Sequence, residues 1–181
     1  MIRKARLEDL NEALTVIADA KELLKNSGSL QWQDKDGYPN YQALKNDIDN
    51  QSLYIKIING MIAGIAALGR DGEPTYDNIY QGNWLNNEKF YVIHRLAVKK
   101  EFYRQGVAKE ILTFFEQIAQ SFGVYNIKID TTRENIAMNN LLIHCGYQKC
   151  GVIYLDRKDV YDKERLAYQK VLSHNDAYKK S

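Results

Sequence analysis

Apolar residues recur first at helical spacing. Leu10, Ala13, Leu14, Ile17, Ala20 and Leu24 fall on one face of a helix, with Glu8 and Asp9 where a first turn favours acids. Ile2–Arg6 before it reads as a short strand, and Asn26-Ser27-Gly28-Ser29 breaks the helix. A polar, aromatic-containing loop, Gln31–Asn40, leads to a shorter helix marked by Tyr41, Leu44 and Ile48. The pattern then turns β-like. Leu53–Ile58 and Met61–Leu68 flank Asn59-Gly60, which predicts a hairpin with a type I′ turn, because that turn needs two residues tolerant of positive φ.

Phe90–Val98 reads as a strand and Gly106–Phe122 as an amphipathic helix carrying Ile111, Leu112, Phe115 and Ile118. Val124–Asp130 is strand-like. Asn135–Cys145 reads as a helix capped by Asn135 and ended by Gly146 at C′. Tyr147–Leu155 and Arg165–Leu172 close the fold as strands. The long loop Arg70–Asn87, with Tyr76, Tyr80 and Trp84, has the length of a functional pocket wall. This order predicts an α/β fold with a mixed sheet, in which Phe90–Val98 and Val124–Asp130 are parallel because a helix crosses over between them. Ligands on such sheets bind near the carboxyl ends of parallel strands. One domain is expected over residues 1–172, followed by a polar tail from Ser173 to Ser181.

Composition narrows the function classes. The 181 residues are 45% hydrophobic and 27% charged, enough for one core. A formal charge of +2 is too small for a dedicated nucleic-acid or membrane-surface binder. Two cysteines, Cys145 and Cys150, make neither a disulfide framework nor a zinc site, so no metal is expected. Met61–Leu68 is too short to cross a bilayer, and the first residues lack a signal peptide's apolar run. The setting expected is reducing and cytoplasmic.

The stretch Tyr103-Arg104-Gln105-Gly106-Val107-Ala108-Lys109 sits where the Phe90–Val98 strand meets its helix. The first N–H groups of a helix lack intrahelical partners, and its macrodipole is positive there. Glycine lets a ligand approach the backbone, and Lys99, Lys100, Arg104 and Lys109 surround it with cations. The same residues also suit a plain helix start with a solvated basic face. There is neither a Walker loop nor a full dinucleotide fingerprint.

Ile93-His94-Arg95-Leu96-Ala97-Val98, five residues, Arg104-Gln105-Gly106-Val107-Ala108, then Asn135 and Cys145-Gly146-Tyr147, together resemble the GNAT (GCN5-related) N-acetyltransferase family. The resemblance runs from Ile2 to Leu172. It implies a mixed, mostly antiparallel sheet of about seven strands flanked by about four helices, with the central parallel pair splayed for acetyl-CoA. It implies that Tyr103, Arg104, Gln105, Gly106, Val107, Ala108 and Lys109 surround the coenzyme diphosphate. Leu96, Ala97 and Val98 then carry the pantetheine arm through their backbone, one N–H polarising the thioester carbonyl, and Asn135 lies beside that arm. Two positions depart from the family pattern. Tyr103 stands where the motif prefers glutamine or arginine, and Leu142 stands where many members carry the tyrosine that protonates the departing thiolate.

His94 is the first candidate base, since imidazole titrates near neutrality; strand alternation puts it on the face of Val92 and Leu96. A structural histidine within the sheet is the alternative. Glu88, just before the strand, is the second candidate. Asp130 either orients an amine or caps the following loop. Cys150, Tyr154 and Tyr147 are either donors to the thiolate or plain core and strand residues, and Trp32, Tyr38, Tyr76, Tyr80 and Trp84 either walls for the acceptor or packing for their own loops. The activity implied is acetyl transfer to a small-molecule or peptide amine by direct attack. The competing possibilities are a non-catalytic coenzyme A-binding or sensor protein, suggested by Leu142, and an unrelated nucleotide-phosphate module. Pairing of two copies is a common arrangement in the family.

Overall fold

The computed structural model describes residues 1–158, 160 and 162–174. The expected tail therefore lies outside the described residues from 175 onward. Strands β1 (Ile2–Lys4), β2 (Leu53–Ile58), β3 (Met61–Gly69), β4 (Tyr91–Val98), β5 (Asn126–Thr131), β6 (Gln148–Tyr154) and β7 (Glu164–Val171) form one sheet in the order β1-β2-β3-β4-β5-β7-β6. Every neighbouring pair is antiparallel except β4 and β5, which run parallel as the crossover demands. The helices are α1 (Leu10–Asn26), α2 (Tyr41–Asp49), α3 (Val107–Ser121) and α4 (Ile136–His144).

Local chemistry accounts for the boundaries. Asn59 and Gly60 both have positive φ (50° and 78°), as a type I′ hairpin turn requires. The Asn40 side chain accepts from the Ala43 amide at 3.0 Å and caps α2; Asn135 does the same for α4 through Met138 at 3.2 Å. Gly146 follows α4 in the left-handed region at φ 84°. His144, late in α4, is exposed.

Alternate residues of β3 feed two cores. Ala63, Ala66 and Leu68 pack with Phe115, Ile111 and Leu112 of α3, whereas Ile62, Ile65 and Ala67 pack with Leu10, Ala13 and Ile17 of α1 and Leu44 of α2. A Cβ built on Gly64 would stand 2.7 Å from Val107 Cγ1 and 3.1 Å from Ala97 O. Glycine there lets the start of α3 sit directly on the sheet. Gly64→Ala is expected to cost about 1–3 kcal/mol by overpacking. Thermal unfolding should show a smaller cost in a Val107→Ala background, where the clashing methyl is gone.

Two features of β4 shape the function. Its pairing with β5 is confined to Tyr91↔Ile127 and Val92↔Lys128, so beyond Val92 the strands diverge and a wedge opens. Its pairing with β3 runs Ala67↔His94 and then Ile65↔Ala97, placing Arg95 and Leu96 opposite the single residue Ala66. That is a β-bulge, with Arg95 in the left-handed region at φ 54°. The extra residue corrects the alternation expected from the sequence. His94 keeps the face of Val92, but Leu96 turns to the opposite side, into the core beneath α3 with Ile93.

Candidate active site

The wedge continues into a cleft of about 870 Å³. One wall is the second half of β4, from Ile93 to Val98, and the other is Ile129, Asp130 and Thr131 at the end of β5. Because β5 no longer pairs there, the β5-facing backbone groups of that β4 segment are left to bond something else.

At one end lies the turn into α3. Arg104 and Gly106 both have positive φ (62° and 80°), and Gly106 is the N-cap residue. The first intrahelical bond there is Glu110 N to Gly106 O at 3.0 Å. The amides of Val107, Ala108 and Lys109 come before it and are open to a ligand, backed by the helix dipole. A Cβ on Gly106 would meet nothing within 4 Å, so the glycine is needed for its φ rather than for space. Arg104, Gly106, Val107, Ala108 and Lys109 line the cleft. Gln105 does not; its amide turns back to Glu101 O at 2.9 Å. Tyr103 also lines the cleft, and its hydroxyl donates to Asp19 O of α1 at 3.2 Å, tying the turn to that helix. The Asn135 amide is engaged at both ends, accepting from Met138 N and donating to Thr131 Oγ1 at 3.0 Å. It shapes the cleft wall as a cap.

The other end is polar and partly buried. His94 Nε2 lies 3.5 Å from Glu73 Oε2, and Glu73 is itself fixed by accepting from the Thr75 amide at 3.2 Å. Burial, and then the neighbouring Arg95 charge, hold His94 below the ordinary imidazole value; Asp130, Glu73 and Asp47 pull the other way. Asp130 accepts from the Tyr76 hydroxyl at 2.6 Å. Burial raises its pKa despite Tyr76, Arg165 and His94, which favour the carboxylate. Arg95 sends Nε and Nη2 to Asp47 of α2 at 2.6 and 2.7 Å, and Nη1 to the Tyr38 oxygen at 2.7 Å. One guanidinium thus ties the bulge to α2 and to the Gln31–Asn40 loop. Just before that loop, Ser29 Oγ and Thr132 Oγ1, 2.9 Å apart, tie the chain to the residue that follows β5.

Other expected site residues lie elsewhere. Glu88 is exposed beside a separate shallow depression with Arg70 and Asp71, because the chain enters β4 at the edge remote from the cleft. Asp130 does not cap the following loop; among the described residues its hydrogen bond is to Tyr76. Trp32, Tyr38 and Tyr76 line the cleft. Tyr80 instead bridges to Val152 and packs on Tyr154, and Trp84 donates to Tyr76 O and covers Lys128. Lys128, buried under the Trp84 and Phe90 rings, has its pKa lowered by desolvation to about 8. Tyr147 is committed to Glu116 at 3.2 Å, and Cys150 is buried in β6. Neither these nor Tyr154 reaches the cleft. Leu142 is wholly buried on the core face of α4, and Met138 and Leu141 of that helix line the cleft instead.

Glu73, Arg95 and Arg165 are the site residues that sequence patterns did not single out. Only Glu73 carried a local signal, standing before Pro74 as the N-cap of a 3-10 turn, Pro74–Asp77. Among the described residues no group of His, Cys, Asp or Glu is arranged to hold a metal ion, and no helix is long and apolar enough to cross a membrane.

A mixed sheet opened along its parallel pair, with a helix N-terminus at one end of the wedge and titratable side chains at the other, defines the class of α/β acetyltransferases. The chain belongs to the acetyltransferase (GNAT) family, whose model matches residues 17–147. A GNAT family acetyltransferase from Streptococcus agalactiae 2603 is 34% identical, covers 96% of this chain and 95% of its own, and superposes with a TM-score of 0.84. More distant structures share the fold. The GNAT family acetyltransferase from Listeria monocytogenes 4b F2365 is 22% identical over 95% and 94% of the chains, with a TM-score of 0.69. The ribosomal-protein-alanine N-acetyltransferase from Brucella melitensis is 18% identical over 95% and 99%, with a TM-score of 0.67. A search of curated proteins finds no match.

Proposed function

We propose that this chain is an acetyl-CoA-dependent N-acetyltransferase that moves the acetyl group to a small-molecule or peptide amine by direct attack in a ternary complex. The observation that carries this is the wedge, where β4 loses β5 as a partner beyond Val92 and the α3 N-terminus stands at its end. In this mechanism the pantetheine arm takes the place of the missing strand pairing, bonding the backbone around Leu96, Ala97 and Val98. The diphosphate lies on the turn from Tyr103 to Lys109, held mainly by main-chain amides. The thioester carbonyl falls at the bulge, where a backbone N–H aimed at the developing oxyanion lowers the barrier without needing a particular side chain.

His94, deprotonated at neutral pH and placed beside Glu73, takes the ammonium proton directly or through a water. The amine nitrogen then forms its bond to the acetyl carbon as the C–S bond breaks and the thiolate leaves. A thiol with pKa about 8.5 is a tolerable leaving group, so the absence of tyrosine at Leu142 does not bar turnover. Tyr38 is placed to return a proton, because its oxygen accepts from Arg95 and no described residue takes its hydrogen.

Titration calorimetry tests the coenzyme half. The parent should bind acetyl-CoA, and Gly106→Val, which forces a β-branched residue to φ 80°, should weaken binding about tenfold. Absence of binding by the parent would sink the proposal; equal affinity in the variant would remove the diphosphate from this turn.

A further inference from the structure

The acceptor end of the cleft holds a guanidinium whose donors are only partly used. Arg165, on β7, has a side chain just 5% exposed and lines the cleft. Its Nη1 donates to Asp162 O and Glu164 O, both at 2.8 Å. Its Nε and Nη2 donate to no described residue. The nearest carboxylate on that side, Asp130, lies 3.9 Å from Nε and already accepts from Tyr76. A buried guanidinium with an open fork of parallel donors fits a planar two-oxygen acceptor.

The charges around this fork are mixed in a specific way. Two further guanidiniums line this end, and both are paired: Arg95 with Asp47, and Arg157 with Asp36 at 2.7 Å while stacked 3.8 Å over the Tyr38 ring. Asp34, Glu73, Asp130 and Asp156 line the cleft beside Arg95, Arg157 and Arg165, so its carboxylates outnumber its guanidiniums here by four to three. The surrounding field therefore favours an ammonium, while the Arg165 fork supplies one directional anion contact. A simple amine would offer the fork no partner, and a simple anion would face the acids. Asp130 is the charge neighbour of both His94 and Arg165, which puts the base and the fork on one side of the cleft.

Building on the N-acetyltransferase reading, we infer that the acceptor is a zwitterion, an amine bearing a nearby carboxylate as in a free α-amino acid. Arg165 Nε and Nη2 hold its carboxylate, and the amine faces His94 and Glu73. Arg165 is thus the residue that sets acceptor specificity.

Matched acceptors test this with thiol release as the readout. A panel of α-amino acids is compared with the corresponding α-amino amides and with the amines lacking the carboxyl group. The amide keeps the shape, and its amine is the less basic, so any preference for the acid comes from the carboxylate. The parent should favour amino acid over amide by about 30-fold or more in kcat/KM, the size of a charge-assisted pair. Arg165→Gln should reduce that ratio to near one. Arg165→Lys should keep a reduced preference, with folding of both variants checked by thermal melts. Should Arg165→Gln not fold, the Arg165→Lys ratio still decides, since a fork lost to a point charge must lower it. Equal rates for acid and amide in the parent, or a ratio unchanged in the variants, would overturn the inference while leaving acetyl transfer standing. No turnover with any amine would instead remove the reading on which it rests.

Discussion

Replacing His94 by glutamine lowers kcat by about 10²–10⁴-fold, the range a positioned general base contributes, and leaves acetyl-CoA affinity unchanged. The imidazole sits beside Glu73, against the open Gly69 position of β3, whose missing Cβ would lie 3.3 Å from Nε2. Its environment also fixes a pH signature. Burial and Arg95 depress its pKa, so in the parent the acid limb of kcat/KM falls below about 6.5. Glu73→Gln removes a charge that raises that pKa, so the limb moves to still lower pH. A limb that stays put in both variants assigns the base elsewhere. Stability follows the same sign. The unfolded histidine takes up its proton near 6.5 and the folded one only at lower pH, so the protein loses stability as pH falls from about 6.5 toward the folded value. Denaturant titrations of the parent and His94→Gln between those limits should diverge accordingly.

Asp47→Ala is the second large effect. The Asp47 and Arg95 side chains are 11% and 15% exposed, and Asp47 takes two of the three bonds that Arg95 makes. Removing the carboxylate strands a mostly buried guanidinium, at a cost of about 3 kcal/mol, the low end for buried pairs because some solvent reaches it. For a chain of this size the melting temperature should fall by on the order of 6–12 °C. Replacing both partners together, Asp47→Asn with Arg95→Asn, should recover much of that loss, since asparagine tolerates the left-handed bulge position and no charge is left unpaired. The acceptor KM should nevertheless stay raised in the double variant, because Tyr38 and its loop lose their tie to β4. A double variant no more stable than Asp47→Ala would show that the pair is not what the bulge depends on.

Features written in short windows were legible in the sequence. The Asn59-Gly60 hairpin, the Asn135 cap and the stop at Gly146 depend on neighbours a few residues away, and local propensity reaches them. The crossover between β4 and β5 followed from strand, helix, strand. The bulge did not, because it is a mismatch between β4 and β3, elements some thirty residues apart, and Arg95 at φ 54° gives no local warning. That one extra residue reverses the face of Leu96. The aromatic residues of the long loop show the same limit. Tyr76 reaches the cleft through Asp130, whereas Tyr80 and Trp84, alike in composition, are taken up by β6 and Lys128. Arg165 read only as a strand residue, since its place in the cleft follows from β7 inserting between β5 and β6.

Steady-state thiol release from acetyl-CoA, measured with and without a panel of amines and followed by mass spectrometry of the product, tests the central claim most directly. Amine-dependent release with a matching acetylated amine is the expected result, with saturation by both substrates and no acetylated enzyme accumulating. Tight acetyl-CoA binding without release in the presence of any amine would contradict it, and would make the chain a coenzyme A-binding or sensor protein instead.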